Sequence, residues 1–372
     1  MSKTIIYVGE FVLPDKGAAA NRVVSNSKIF KELGYETFFL GAADSDEVFH
    51  GIRKVDGYEN MYEEAHPSSS VQWAKHIFSA ENIVKLVDEK KAEFVVLYNL
   101  PVVTVLAVKF ALRNRNVRII YDCTEWSPYT TGGLPKKIFK FIDEWMLRNF
   151  LDKIAENIIV ISSMMEEKYS GCKNLIKLPP LVDTQDALWH QRNVRTDGAF
   201  EFCFAGVPDG NKESLDKILF AFSEIADENI RFRVIGITKD ECLKLHPETA
   251  EIIEDDRIVF MGKLSHKETL KFVSECDCYI FIRIPDRRNN AGFPTKFAEA
   301  YTLAMPVITS AISDVADYLT ENQGTVLDDI SAESVKKAML DEIKNKKTQN
   351  GSDIRTTFDY RNYTDKVNDF LS

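Results

Sequence analysis

Residues 202–222 read FCFAGVPDGNKESLDKILFAF. The run Phe202–Cys203–Phe204–Ala205 is apolar without alternation, as expected of a strand buried on both faces. Pro208 and Gly210 then break it, and Asp209 or Asn211 can cap a helix beyond the break. Leu215, Ile218, Leu219 and Phe222 fall at i, i+3, i+4 and i+7, one face of an amphipathic helix. Strand, loop and helix in this order form the repeating unit of a parallel sheet.

The same unit recurs on both sides. Downstream, RFRVIG, RIVFMG, CYIFIRI, PVITS and TVLDD read as further strands. Upstream, TIIYVG, ETFFLG, EFVVLY, VRIIYD and NIIVIS do the same, with a helix expected over Ala18–Leu33 and stopped by Gly34. Pro179–Pro180 and the polar run DTQDALWHQRNVRTDGAF separate the two series and read as a linker and a domain entry. The expected organisation is two doubly wound, Rossmann-like α/β domains, 1–182 and 183–355. A terminal helix in 356–372 is expected to pack back on the first. Domains of this type bind ligands at the carboxyl ends of their strands, so a central cleft is the expected site.

Composition narrows the function. The chain has 372 residues, 47 Lys+Arg and 57 Asp+Glu, for a net charge of −10, and is 45% hydrophobic. That length suits about two domains. The acidic balance argues against a nucleic-acid partner, which normally meets a basic surplus. The six cysteines (Cys123, Cys172, Cys203, Cys242, Cys276 and Cys278) are too few for a disulfide scaffold. Cys276 and Cys278 lack a second pair to complete a zinc site and read as buried free thiols. The start MSKTIIYVGE has too short an apolar run for a signal peptide, and a cytoplasmic location is expected. Phe94–Leu112 is apolar, but Asn99, Pro101, Thr104 and Lys109 make it a strand, turn and helix rather than a span.

The stretch 291–310, AGFPTKFAEAYTLAMPVITS, carries the chemistry. Pro294 is expected in the first turn of a helix. The amides of Thr295 and Lys296 would then face outward and bind an anion with help from the macrodipole. Lys296 adds a full charge. Glu299 can accept two hydrogen bonds from a ribose diol. Taken alone, Lys296 and Glu299 also fit a solvated i,i+3 ion pair worth about 0.2–0.5 kcal/mol.

GFPTKFAEAYTLAMPVI resembles the nucleotide-sugar signature of glycosyltransferase family 4, whose motif runs Glu-Gly-Phe/Pro, then Glu-Ala, then Gly-x-Pro-Val-Ile. Pro294, Lys296 and Glu299 match the Pro-x-Lys-x-x-Glu of a subset. Five further stretches resemble the family in order: 16–41, 155–170, 174–183, 202–222 and 259–281. The resemblance implies the GT-B fold and transfer of a sugar from a nucleotide diphosphate to a glycan or lipid-linked acceptor. It implies retention at the anomeric carbon, no cofactor, and a role in surface polysaccharide assembly; metal independence is expected because the cations and the helix start replace Mg²⁺ and no Asp-x-Asp motif stands at a strand end. It places Gly17 and Gly206 near the donor, Gly262 to Leu264 at the base, Glu299 at the ribose, and Thr295, Lys296 and Lys212 at the diphosphate. Two positions depart from the pattern. The first signature Glu falls at Ala291, and the usual Arg after the first C-domain strand falls at Val207. Arg283, Arg287 or Arg288 can supply the missing charge, with Arg287 taken as the donor contact. The loop GVPDGNKES is not a Walker A loop, because its glycine spacing and lysine position are wrong.

In the N-terminal half, Asp122 and Glu125 end a strand and can orient or deprotonate an acceptor hydroxyl. A turn or cap role fits Asp122 equally. Trp126, Tyr129 and the loop Thr130–Gly133 can form a sugar platform, or Trp126 can be core. The segment LPKKIFKFIDEWMLRNFLDKI (134–154) mixes Lys136, Lys137, Lys140, Arg148 and Lys153 with many apolar residues. It reads either as a packing helix with a solvated basic side or as a helix resting on the inner face of a membrane. Two other functions stay open: a non-catalytic nucleotide-sugar-binding subunit, favoured by Ala291 and Val207, and a nucleotide-sugar epimerase.

Overall fold

The computed structural model describes residues 3–14, 16–44, 51–65, 67, 69–126, 133–189, 198–208, 213–320, 323–345 and 352–372. The chain divides into two units, Met1–Leu181 with Tyr360–Ser372, and Val182–Asp359. The division falls one residue before the expected one, and the chain rejoins the first unit at 360 rather than 356.

The first unit is built on strands β1 (Lys3–Gly9), β2 (Tyr35–Ala42), β3 (Ile52–Lys54), β4 (Met61–Glu64), β5 (Phe94–Tyr98), β6 (Arg118–Cys123), β7 (Asn157–Val160) and β8 (Asn174–Lys177). They form one sheet in the order β3-β4-β2-β1-β5-β6-β7-β8. Every pairing is parallel except β3 with β4. The apolar runs explain the centre: Ile5, Ile6, Val95, Val96 and Ile158 are fully buried. Helices α1 (Gly17–Glu32), α2 (Ser70–Phe78), α3 (Glu81–Lys90), α4 (Val102–Leu112), α5 (Leu134–Ile154) and α6 (Ser163–Lys168) connect the strands. The terminal helix, Thr364–Leu371, buries Val367, Phe370 and Leu371 in the same core as Phe94, Ile176 and Leu178. Sequence reading missed β3, β4 and β8. All three are short and polar at the surface, so periodicity has little to act on.

The second unit holds β9 (Phe200–Ala205), β10 (Ile230–Ile235), β11 (Ile258–Gly262), β12 (Cys278–Phe281), β13 (Val307–Ser310) and β14 (Gly324–Leu327). The order is β11-β10-β9-β12-β13-β14, parallel throughout. The first strand of the unit thus lies between its second and its fourth. Strand order reverses between β9 and β12, and parallel sheets of this kind leave a crevice outside the carboxyl ends at such a point. Helices α7 (Leu215–Ser223), α8 (Lys239–Leu245), α9 (His266–Ser274), α10 (Arg287–Ala291), α11 (Thr295–Thr302), α12 (Val315–Tyr318), α13 (Ala332–Asn345) and α14 (Ser352–Thr356) complete the unit.

Helix α11 is held by an aromatic cluster. The Phe358 ring lies 5.9 Å from Phe293, 6.2 Å from Phe297, 5.6 Å from Tyr301 and 4.9 Å from Tyr318. Burying Phe297 fully is worth about 1.5–3 kcal/mol. The helix ends before Pro306: Ala304 takes φ +55°, Ala304 N donates to Tyr301 O, and Met305 N donates to Ala300 O. This pair of bonds satisfies the last carbonyls. Its start differs from expectation by one residue. Pro294 is the extended residue before the helix, and Thr295 is the first helical one. A proline just ahead of the first turn serves as well, since it needs no acceptor there.

Candidate functional site

The switch point between β9 and β12 gathers a charged set inside the second unit. Gly206 follows β9 directly, and Arg283 lies just beyond β12. Glu213 and Arg283 pair as an isolated bridge, and both are buried. Arg283 Nη2 donates to Glu213 Oε1 at 2.7 Å, and Lys296 Nζ lies 3.6 Å from the same oxygen. Two cations share one carboxylate at a strand's carboxyl end. Burial pushes the Lys296 ammonium pKa down. Glu213 works against that shift, and Arg283 adds to it. The Lys296 side chain still keeps 30% exposure, so a ligand can reach it.

Gly206 makes this arrangement possible. A Cβ at residue 206 would stand 2.0 Å from Lys296 Nζ and 3.0 Å from Glu213 Oε2. Its neighbours on the sheet are close as well. Gly206 N donates to Ile235 O at 2.8 Å, and Gly236 N donates to Gly262 O at 2.7 Å. Gly262 adopts φ +65°, which favours glycine.

The start of α11 adjoins this set through Lys296. No side chain caps it. The amides of Thr295 and Lys296 therefore remain for a ligand, while Phe297 N is taken by Pro294 O. One turn on, Glu299 Oε1 shares a 2.8 Å hydrogen bond with Nε2 of His266, the first residue of α9. Ser265 and Glu268 form a capping box that fixes that turn. Leu264, half-buried, precedes it. Glu299 is thus bonded to His266 rather than paired with Lys296 alone.

Several expected residues stand elsewhere. Arg287 is exposed on α10, and it is Arg283 that joins the charged set, because Arg283 extends the strand run. Val207 is 62% exposed, and Ala291 is fully buried. Lys212 lies outside the described residues, as does Tyr129 with most of the Thr130–Gly133 loop.

In the first unit, Asp122 is not available to an acceptor. It is fully buried at the end of β6. Arg22 Nη2 donates to Oδ1 at 2.7 Å, Arg22 Nε to Oδ2 at 3.1 Å, and Tyr7 Oη and Asn26 Nδ2 also donate to Oδ2. Arg22 in turn donates to the carbonyls of Leu178 and Pro179. Arg22 and Asn26 lie one turn apart on α1, so one helix face meets the strand end. The carboxylate is a structural tie that neutralises a buried guanidinium. Trp126 is core too, with its Nε1 donating to Tyr169 Oη at 3.0 Å. Glu125 is half-buried beside them. Gly17 opens α1 with φ +85° and open space around its missing Cβ.

Sequence reasoning missed a pocket at the carboxyl ends of β1, β2 and β4. Gly9, Glu10, Gly41, Glu64, His76 and Asn82 line it. His76 Nε2 lies 3.2 Å from Glu10 Oε1, and its Nδ1 lies 3.6 Å from Glu64 Oε1. These contacts raise its pKa to about 10, the Glu10 bond most and the Glu64 bond next, against the effect of burial. Asn82 Nδ2 donates to Glu64 at 2.6 Å. Carboxylates, an imidazolium and an amide in one pocket can hold a polyhydroxylated ligand. A signal existed in Gly9–Glu10 at the end of the first strand.

Among the described residues, Asp216, His246 and Glu248 form a His/carboxylate group whose ligating atoms lie within 4.8 Å of one another. None of them belongs to the sets above. The described cysteines are free, and most are buried.

The family model described as Glycosyl transferases group 1 matches residues 185–354. No curated protein matches the chain. Among solved structures, the chain is similar to a sucrose-phosphate synthase from Thermosynechococcus elongatus, with 14% identity, 99% and 98% of the two chains covered, and a TM-score of 0.73. It is similar to HepE from Anabaena, solved with UDP and glucose (12% identity, 99% of each chain, TM-score 0.69). It is also similar to the lipopolysaccharide outer core galactosyltransferase WaaB (14% identity, 99% of each chain, TM-score 0.66). These likenesses extend over both units and show the fold. Residues 185–354 of the C-terminal unit thus carry a glycosyl transferases group 1 domain, and the chain has the GT-B fold of a glycosyltransferase.

Proposed function

We propose that the protein transfers a sugar from a nucleotide diphosphate to a hydroxyl of a glycan or lipid-linked acceptor, in surface polysaccharide or related glycan assembly. The carrying observation is the charged set at the β9/β12 switch point: Arg283 and Lys296 around Glu213, beside an uncapped helix start. A leaving diphosphate gains negative charge as the glycosidic bond breaks, and fixed cations and amides placed there stabilise it. Thr295 and Lys296 hold the diphosphate, Glu299 the ribose hydroxyls, and Gly262 to Leu264 border the base. Two protein cations take the role that a divalent ion plays elsewhere, so transfer proceeds without added metal. The family resemblance supports retention at the anomeric carbon. HepE has been solved with UDP-glucose, which supports a donor of that class.

Since Asp122 is sealed, the acceptor hydroxyl is assigned to the pocket of Glu10, Glu64 and His76, with Glu125 as a further candidate. Glu10 is more than half exposed and can accept the hydroxyl proton. One observation favours a second reading, a non-catalytic sugar-nucleotide-binding subunit: Ala291 is fully buried where the family signature has a carboxylate.

A thermal-shift screen of UDP-, GDP-, ADP-, CMP- and TDP-sugars, with and without Mg²⁺, tests the donor site. One nucleotide should stabilise the wild type without metal, and Lys296→Ala and Glu299→Ala should each weaken that effect. Unchanged shifts in both variants would remove the assignment. Label transfer to an acceptor panel decides between the two readings, and Glu10→Gln should lower transfer without changing donor binding.

A further inference from the structure

Helix α8 is stopped by its own sequence. It ends at Leu245, and the chain continues His246-Pro247-Glu248-Thr249. A proline disfavours the helical conformation in the residue before it, and His246 leaves the helix with φ −133° and ψ +68°. The backbone of His246 is then pinned on both sides. Its amide donates to Cys242 O at 2.8 Å, and its carbonyl accepts from Thr249 N at 3.0 Å and from Thr249 Oγ1 at 2.8 Å.

The imidazole held in this way keeps only 9% exposure. Its Nδ1 lies 3.4 Å from Glu248 Oε1, and its Nε2 is buried with no hydrogen-bond partner among the described residues. Asp216 comes from the first turn of α7. One ligating atom from each of Asp216, His246 and Glu248 lies within 4.8 Å of the other two. Two of the three have ordinary roles when taken alone. An acid in a first helical turn answers the macrodipole, and a half-exposed glutamate is solvated. The histidine has none, because a buried polar atom calls for a partner.

Charge and donor type select that partner. Two carboxylates beside a neutral imidazole carry two negative charges, which a divalent cation neutralises. One nitrogen with carboxylate oxygens suits Zn²⁺ and its borderline neighbours, whereas Mg²⁺ and Ca²⁺ take oxygen donors. Three protein ligands leave the fourth tetrahedral position to water.

We propose that Asp216, His246 and Glu248 bind one divalent ion of the zinc class, which fastens the turn at 246–249 to the start of α7. The ion is structural. None of its ligands belongs to the charged set around Glu213, so the proposal does not rest on the donor site.

The test is calorimetric titration of the full-length protein, first stripped with a chelator, with Zn²⁺ alone. One equivalent should bind in the micromolar range or tighter, and an equal concentration of Mg²⁺ should not displace it. At a hundredfold excess over Kd the unfolding midpoint should rise by about 5 °C or more. Glu248→Gln and Asp216→Asn should each weaken binding at least about tenfold, since even a group behind a metal ligand contributes that much. Both altered side chains reach solvent, so both variants should fold; His246→Gln should abolish binding, and the other two carry the test if it does not fold. Co²⁺ put in place of Zn²⁺ should give weak visible bands without strong sulfur-to-metal charge transfer. Absence of saturable Zn²⁺ binding overturns the proposal, as does affinity unchanged in both Glu248→Gln and Asp216→Asn. A strong sulfur-to-metal band would put the ion on a cysteine and overturn it too.

Discussion

The ammonium of Lys296 occupies the space that a side chain on residue 206 would need: a Cβ there would sit 2.0 Å from Nζ. Glycine at 206 and lysine at 296, from different βα units, therefore act as one feature. Because the clash is with the far end of a flexible side chain, Gly206→Ala has a cheap way out: the lysine swings aside. The unfolding midpoint should move little, while affinity for the preferred nucleotide diphosphate falls about tenfold or more, as expected when a charged hydrogen bond worth about 1.5–3 kcal/mol is lost. Lys296→Ala should do the same, and the double variant no more than either. Calorimetric titration of all three, with additive losses as the contrary result, checks this.

The hydrogen bond between His266 and Glu299 makes a second expectation. In the proposed ribose-binding role, the Glu299 carboxylate benefits from a partner that fixes its plane. Glu299→Ala should remove most of the discrimination between a nucleoside diphosphate and its 2′-deoxy form. His266→Ala should reduce it by a smaller factor, roughly three- to tenfold, since it removes the partner that orients the carboxylate and leaves the carboxylate itself. In the double variant His266→Ala should have no further effect. Discrimination intact in His266→Ala would show that the imidazole merely packs there.

These residues differ in how far the sequence discloses them. The two series of buried strands were readable because apolar runs bounded by Gly and Pro need no tertiary information. Lys296 and Glu299 were readable from a helix start after a strand. Glu213 was not, since its role depends on Arg283 arriving from 70 residues away. A signal for Arg283 was present: a guanidinium interrupting the run IFIRI must find a partner if it is buried. His266 sits inside the Ser-His-Lys-Glu of a capping box, and nothing in that pattern marks its imidazole as a partner for Glu299, 33 residues on. Asp122 misled because a strand-end carboxylate looks the same whether it faces a ligand or a buried arginine.

That distinction can be measured. With Arg22, Tyr7 and Asn26 all bonded to Asp122, removing the carboxylate leaves a buried guanidinium without its counter-charge. Breaking such a pair costs about 3–5 kcal/mol. Asp122→Ala should lower the urea midpoint strongly. Asp122→Asn, which keeps an acceptor, should lower it less. In both, kcat measured on the folded fraction should stay within a few-fold of wild type. A variant of wild-type stability with kcat reduced a hundredfold or more would restore Asp122 as a catalytic group.

His76 gives the pH dependence. Its pKa in the folded protein is raised to about 10 by Glu10 first and Glu64 second, against about 6.5 in an unfolded chain. The charged imidazole is the form that folding favours. Its contribution to stability is therefore complete below about pH 6.5, declines as pH rises through the interval up to 10, and is absent above it. Other groups titrate over the same range, so the informative quantity is the difference between wild type and His76→Gln. Urea unfolding from pH 6 to 10.5 should show the two furthest apart at the acid end and converging toward pH 10. Glu10→Gln, which removes the largest cause of the shift, should move the convergence to lower pH. Parallel curves for wild type and His76→Gln across the whole range would mean that the imidazole is not charged between these carboxylates at all.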